Sequence, residues 1–169
     1  ALGIAPSGGE DRDLYSDIAR SIVAGNGYRV TVDTAETMIR NPGYVLLRAA
    51  LIRAFGDRLA PARICNVLFG MGTVVLSGML IRRFTPSVAA VVVTMLITGL
   101  YPLTLLVESR IGVESMFTFL LMLGMLLLSR AMDSWKVWSF AAAGVVLGLA
   151  TLTRSVAMFL VPVIVVLAI

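Results

Sequence analysis

Phe117-Thr-Phe-Leu-Leu-Met-Leu-Gly-Met-Leu-Leu-Leu128 is a run of apolar residues with a single hydroxyl, set between Glu114 and Arg130. Its residues do not alternate between apolar and polar, and it is too long for an ordinary strand. Extended to 112–129, it approaches the roughly 20 apolar residues that carry a helix across the hydrocarbon core of a bilayer. An open sheet could not satisfy its backbone there, whereas a helix satisfies its own. Similar runs lie on both sides, at 62–81, 86–107 and 137–152, and another occupies 155–169 up to the end of the sequence. The composition agrees. Hydrophobic residues make up 59% of the chain and charged residues 14%, against about 25% charged in a soluble domain, and the mean hydropathy is +0.94. The expected fold class is an all-α polytopic membrane protein, which excludes a soluble domain.

The composition also narrows the chemistry. There is no histidine and only one cysteine, Cys65, so no His-built or Cys-rich zinc site and no intrachain disulfide is expected. The net charge of +4 is read against the bilayer, and no nucleic-acid partner is expected. The first residues show no basic segment followed by an apolar one, so no signal peptide is visible. The chain begins without Met and stops within the apolar run Phe159–Ile169. It therefore reads as an excerpt of a longer protein, expected to be inactive alone.

Short polar breaks separate the runs, and spans joined by such breaks alternate in direction. The breaks at 82–85 and 130–136 then share one side and carry Arg82, Arg83, Arg130 and Lys136, while 108–111 and 153–155 share the other and carry Arg110 and Arg154. The positive-inside rule makes the first pair cytoplasmic, although Arg58 and Arg63 on the other side narrow the margin. Residues 1–60 then lie on the non-cytoplasmic side as an external loop, with the bundle in 61–169.

Within that loop, Leu14, Ile18 and Ile22 recur every four residues, which predicts an amphipathic helix from Asp11 to about Ala24, ended by Gly25-Asn26-Gly27. Tyr28 to Asp33 alternates and reads as extended. Pro42 opens a second helix with Tyr44, Leu47, Leu51 and Phe55 on one face, and Gly56 closes it. Two such helices beside the first span are expected to lie on the membrane surface. Gly144 and Gly148 form a Gly-x-x-x-Gly pattern, the usual mark of close helix packing. Asn66 in the first span reads as a packing or hydrogen-bonding residue.

On the proposed outer side, Asp11, Asp13, Arg40, Glu108, Arg110, Glu114 and Arg154 come to one level. Ionisable groups at the edge of apolar helices are costly to bury and often functional. A carboxylate there can take a proton from a nucleophile, and arginines can hold a phosphate leaving group. The plainer readings stand beside these. Asp11 and Asp13 would also serve as helix N-terminal carboxylates, and Glu108, Arg110 and Arg154 as headgroup-level loop residues. Glu114 is less easily explained as a cap, since the run that follows it does not require one.

Several stretches resemble the membrane glycosyltransferases of the GT-C fold, closest to the dolichyl-phosphate-mannose protein mannosyltransferase-like group that includes the bacterial aminoarabinose transferases. They are Asp11-Arg-Asp-Leu-Tyr15-Ser-Asp-Ile18-Ala19 with Gly25-Asn-Gly27-Tyr28; Arg40-Asn-Pro42-Gly43-Tyr44; Arg63-Ile-Cys-Asn66 with Arg82-Arg83-Phe84; Glu114-Ser-Met-Phe117-Thr-Phe119-Leu120; and Gly148-Leu-Ala150-Thr-Leu-Thr153-Arg154. They fall in the family's order and cover nearly the whole chain. Departures are Arg12 where several members carry a second acid, Asn41 in place of a frequent Pro, Val113 before Glu114, and Ser155 after Arg154; they bear on subfamily rather than on the base.

The resemblance implies a GT-C bundle in a bacterial inner membrane. It also implies a glycosyltransferase that moves a sugar from a polyprenyl-phosphate carrier to an acceptor hydroxyl on the non-cytoplasmic face. It makes Asp11 the catalytic base, with Asp13 nearby, Arg40 and Arg154 on the carrier phosphate and Glu114 lining the cavity; Tyr15 and Tyr44 complete the expected substrate-binding set. No cofactor is expected, although Asp11, Asp13 and Glu114 could supply oxygen ligands to a hard cation. The expected partners are the lipid-linked donor, membrane lipid, and an acceptor that is protein, lipid or polysaccharide. Two other classes fit the same charges: a transporter or flippase of lipid-linked material, which needs no base, and a non-catalytic membrane scaffold.

Overall fold

Six α-helices and one 3-10 helix make up the regular structure of a computed structural model that describes residues 14–30, 40–100 and 113–159. They are α1 (Tyr15–Val23), α2 (Pro42–Phe55), α3 (Leu59–Ile81), α4 (Val88–Leu100), α5 (Glu114–Ser134) and α6 (Val137–Thr153), followed by the 3-10 helix Ser155–Phe159. Among the described residues there is no strand, and the Tyr28–Val30 part of the stretch expected to be extended forms bends. The architecture is all-helical. α3 and α5 are each long and apolar enough to cross a membrane, and α4 and α6 are shorter apolar helices.

The long helices stand in a row, α4–α3–α5–α6. Small residues set the close approaches. A Cβ built on Gly72 of α3 would lie 2.5 Å from the Phe119 ring of α5, one on Gly124 of α5 would lie 2.5 Å from Leu147 of α6, and one on Gly78 of α3 would lie 2.7 Å from Met95 of α4. These glycines let neighbouring backbones come close where dispersion rather than water drives packing. Gly144 and Gly148 do not share this role. A Cβ at either meets nothing within 4 Å, so the Gly-x-x-x-Gly stripe faces away from the described helices.

The outer faces are apolar. On α3, Ile64, Val67, Leu68, Met71, Val75 and Met79 are all exposed and recur at helical spacing. Such a stripe suits hydrocarbon and would be costly in water. Threonine hydroxyls within the apolar helices satisfy themselves locally. The hydroxyls of Thr73, Thr94, Thr98, Thr118 and Thr151 each donate to the carbonyl four residues back, at 2.8–2.9 Å, the arrangement a water-free surrounding demands.

α1 and α2 pack on each other at one end of the row, over the N-terminal end of α5. Their shared core is Tyr15, Ile18, Ala19, Tyr44, Val45, Ala49, Ile52 and Val113. Pro42 occupies the first turn of α2, where its missing N–H costs nothing. Gly56, at φ 77°, ends it with its N–H on the Ile52 carbonyl.

Several expectations are corrected. The face of α2 predicted as Tyr44, Leu47, Leu51 and Phe55 is rotated. The buried stripe is Tyr44, Val45, Arg48, Ala49 and Ile52, and Phe55 and Leu46 are exposed. The reason is Arg48, whose buried charge is compensated by partners that lie outside α2. α1 starts at Tyr15 rather than Asp11, because Leu14 sits at φ 61° and is its N-cap. The acid in its first turn is therefore Asp17, and Asp11 and Asp13 lie N-terminal to that turn. α3 starts at Leu59, since Pro61 is tolerated in a first turn. α5 runs on to Ser134, taking Arg130 and Asp133 out of the expected loop. The expected second and fifth spans lie partly outside the described residues, as do Glu108 and Arg110 wholly.

Candidate functional site

The C-terminal end of α6, the N-terminal end of α5 and the approach to α2 meet below α1. What seats them is Gly43. A Cβ there would lie 2.7 Å from Thr153 Cγ2 and 2.9 Å from the Leu152 carbonyl oxygen, so no other residue lets α2 rest on the end of α6 without displacing backbone. Thr153 is buried beneath it, its hydroxyl donating to the Ala150 carbonyl at 2.6 Å. Arg154 follows directly, with an extended backbone, and its Nη1 lies 3.6 Å from Oε1 of Glu114. Both side chains are partly exposed. An acid and a base far apart in sequence thus form a solvent-reachable pair at the mouth of the bundle.

Arg40 approaches from the other side. Its guanidinium carbon lies 5.4 Å from the centre of the Tyr15 ring, within cation–π range, and its carbonyl accepts a 2.8 Å hydrogen bond from the Tyr28 hydroxyl. Tyr15 in turn meets Tyr44 edge to face, with ring centres 5.4 Å apart and an angle of 83°. The Tyr44 hydroxyl donates to Asn66 Oδ1 of α3 over a long 3.3 Å. Both tyrosine rings are buried, so they hold Arg40, α2 and α3 in register and offer little surface of their own to a ligand. Burial, and secondarily the neighbouring Tyr15, raises the Tyr28 phenol above its ordinary 10.0, which keeps it a hydrogen-bond donor to Arg40.

Five of the seven residues singled out from the sequence therefore fall at one end of the molecule: Tyr15, Arg40, Tyr44, Glu114 and Arg154. Asp11 and Asp13 lie outside the described residues. The chain that carries them enters α1 through Leu14, whose left-handed backbone is unfavourable for leucine by about 1 kcal/mol. Strain of this kind collects at functional sites.

A second polar cluster was not foreseen. Arg48 of α2 is 1% exposed. Its Nε donates to Ser16 Oγ at 3.1 Å, Nη1 to the Arg58 carbonyl at 2.9 Å and Nη2 to Asp57 Oδ1 at 3.3 Å. Asp57 also receives Arg20 Nε at 2.6 Å, and Arg20 Nη1 reaches Asp17 at 2.7 Å. Together these tie α1, α2 and the start of α3 into one unit, so that α1 reaches the site on a rigid base. The available signal was a cation four residues after Tyr44, on the apolar stripe, with an acid just past the helix-ending Gly56.

At the opposite end Arg83 pairs with Asp133 and donates to the Ser129 carbonyl at 3.2 Å. The turn after α3 and the last turns of α5 thus share that end. Among the described residues no group of three His, Cys, Asp or Glu side chains is gathered.

A model of the dolichyl-phosphate-mannose-protein mannosyltransferase family matches residues 54–169. Comparison with curated proteins and with solved structures gives no match.

Proposed function

The chain belongs to the dolichyl-phosphate-mannose-protein mannosyltransferase family, membrane glycosyltransferases that draw on a sugar linked to a polyprenyl phosphate, and from that premise we propose that Asp11 is its catalytic base and that Arg40 and Arg154 receive the carrier phosphate. In this reading Asp11 takes the proton of an acceptor hydroxyl. The freed oxygen bonds to the anomeric carbon, the bond from that carbon to the phosphate oxygen breaks, and polyprenyl phosphate leaves with the electron pair. A base lowers the barrier by accepting the proton as the nucleophile attacks. Fixed guanidinium groups stabilise charge that grows on the leaving oxygen, so the positive charge the step needs comes from arginine and no cofactor is invoked. Asp13 lies beside the base in sequence, Tyr15 and Tyr44 position Arg40, and Glu114 lines the cavity through its pair with Arg154.

The observation that supports this most is the convergence of Arg40, Glu114 and Arg154, from three separate segments, on the end of the bundle that α1 enters from the Asp11 side. The non-cytoplasmic placement of this end and of the 1–60 loop, in a bacterial inner membrane, rests on the distribution of arginine and lysine. The acceptor is a hydroxyl on protein, lipid or polysaccharide.

The test uses full-length protein in membranes with radiolabelled polyprenyl-phosphate sugars. Wild type is expected to move label to an acceptor, and Asp11→Asn to lose transfer while keeping its thermal stability. Full transfer by Asp11→Asn would remove Asp11 from the mechanism. Movement of intact carrier across the membrane by both proteins, without transfer, would replace the enzyme with a flippase.

A further inference from the structure

The end of the bundle away from α1 and α2 has chemistry the transfer reaction does not use. Four cations gather there: Arg82 at the end of α3, Arg83 beside it, Arg130 in the last turns of α5, and Lys136 between α5 and α6. The one acid among them is Asp133, and it is taken by Arg83. That pair clamps α3 to α5. Arg82, Arg130 and Lys136 are exposed and have no acidic partner among the described residues.

Around these cations stand exposed aromatic rings. Phe84 is 75% exposed, Trp135 75% and Trp138 86%. Trp135 and Trp138 are both of the tryptophans in the chain. Trp135 adopts a left-handed backbone, φ 49°, at the end of α5, its N–H on the Ala131 carbonyl. This reversal turns the chain outward at Trp135 and Lys136 before α6 begins. Its ring leans on Phe140 at 6.1 Å between centres, which leaves the rest of the indole open. Tryptophan is at home at the level of lipid headgroups, where its ring contacts acyl chain and its N–H contacts water.

We propose that this end is a binding site for the phosphate headgroup of an anionic bilayer phospholipid. Arg82, Arg130 and Lys136 hold the phosphate, and Phe84, Trp135 and Trp138 contact the glycerol and upper acyl chains. Charge complementarity selects the occupant. Three cations freed of acids attract an anionic headgroup, and rings that lie open on the surface, rather than lining a pocket, suit a molecule that shares the membrane plane. A soluble anion would gain nothing from those rings.

The experiment uses the full-length protein in phosphatidylcholine nanodiscs doped with a low fraction of brominated phosphatidylglycerol or, separately, brominated phosphatidylcholine. Bromine quenches nearby indoles. The signal from this end is the difference between wild type and the Trp135→Phe/Trp138→Phe variant. Quenching by the brominated anionic lipid is expected to exceed that by the zwitterionic one several-fold at equal fraction. The excess should vanish in Arg82→Gln/Arg130→Gln/Lys136→Gln and shrink with added salt. Should the triple variant not fold, Lys136→Gln alone is expected to reduce the excess, and mass spectrometry of lipid retained by detergent-purified wild type is expected to show phosphatidylglycerol over phosphatidylcholine. Equal quenching by the two lipids would overturn the proposal and leave an ordinary aromatic belt. So would an excess that survives all the charge substitutions, or displacement of the anionic lipid by trace polyprenyl phosphate, which would make this end a carrier site.

Discussion

Nη2 of Arg48 lies 3.3 Å from Oδ1 of Asp57, and the arginine side chain is wholly buried while the aspartate is 43% exposed. The pair therefore joins the interior of the α1–α2 unit to its rim. A charge at that depth is sustained only by partners, and Ser16 and the Arg58 carbonyl engage its other two nitrogens. Arg48→Met is expected to destabilise the protein by about 3 kcal/mol, since it strands buried acceptors and loosens the grip on Asp57. Asp57→Asn should cost less, because its carboxylate is partly hydrated. Denaturant unfolding in detergent measures both; equal stability of Arg48→Met and wild type would show that the cluster is dispensable.

Gly43 lies so close to the end of α6 that a methyl group must move backbone. Gly43→Ala is expected to cost about 1–3 kcal/mol by overpacking, and to reduce transfer further by lifting Arg40 away from Arg154. Denaturant unfolding in detergent and carrier-dependent transfer report the two effects. By contrast, Gly144→Ala, in open space, should leave both unchanged.

The 3.6 Å pair of Glu114 and Arg154 holds the arginine with a competing anion. An exposed pair of this kind contributes at most about 1 kcal/mol. Glu114→Gln is therefore expected to lower KM for the carrier-linked donor by up to about fivefold, and Arg154→Gln to raise it, with stability little changed in either. A rise in KM for Glu114→Gln would instead assign the carboxylate a direct contact with substrate.

Tyr28, whose pKa is raised by burial and by Tyr15, stays neutral above the ordinary 10.0. The sign follows from linkage. The folded state holds the proton more tightly, so this contribution is complete below pH 10 and is lost as pH rises through the raised value. In an alkaline titration of tyrosinate absorbance the Tyr28 phenol should ionise late, and Tyr28→Phe should remove that component and cost about 1 kcal/mol with its hydrogen bond to Arg40. A titration identical in wild type and variant would contradict this.

Much of the fold is legible in the sequence. The apolar runs are long and uniform, so helices fall within them whatever their neighbours do, and Pro42 and Gly56 mark the ends of α2 because each acts on its own backbone. The family motifs likewise pointed to Arg40, Glu114 and Arg154. Other features depend on residues remote in the chain. Whether a glycine is a contact depends on the helix beside it: Gly72, Gly78 and Gly124 meet one, Gly144 and Gly148 do not. The predicted face of α2 left out Arg48, because nothing local to it shows that Asp57, Ser16 and the Arg58 carbonyl fold around it.

By itself the sequence determined that this is a helical membrane protein, because hydrocarbon length and local turn chemistry need no partner; its glycosyltransferase family rests instead on the match of residues 54–169 to the family's pattern. Only the tertiary structure decided that Arg154 meets Glu114, that Gly43 seats α2 on α6, and that Arg48 is interior. Each of those rests on the pairing of charges or the exclusion of a methyl group between segments that chain order keeps apart.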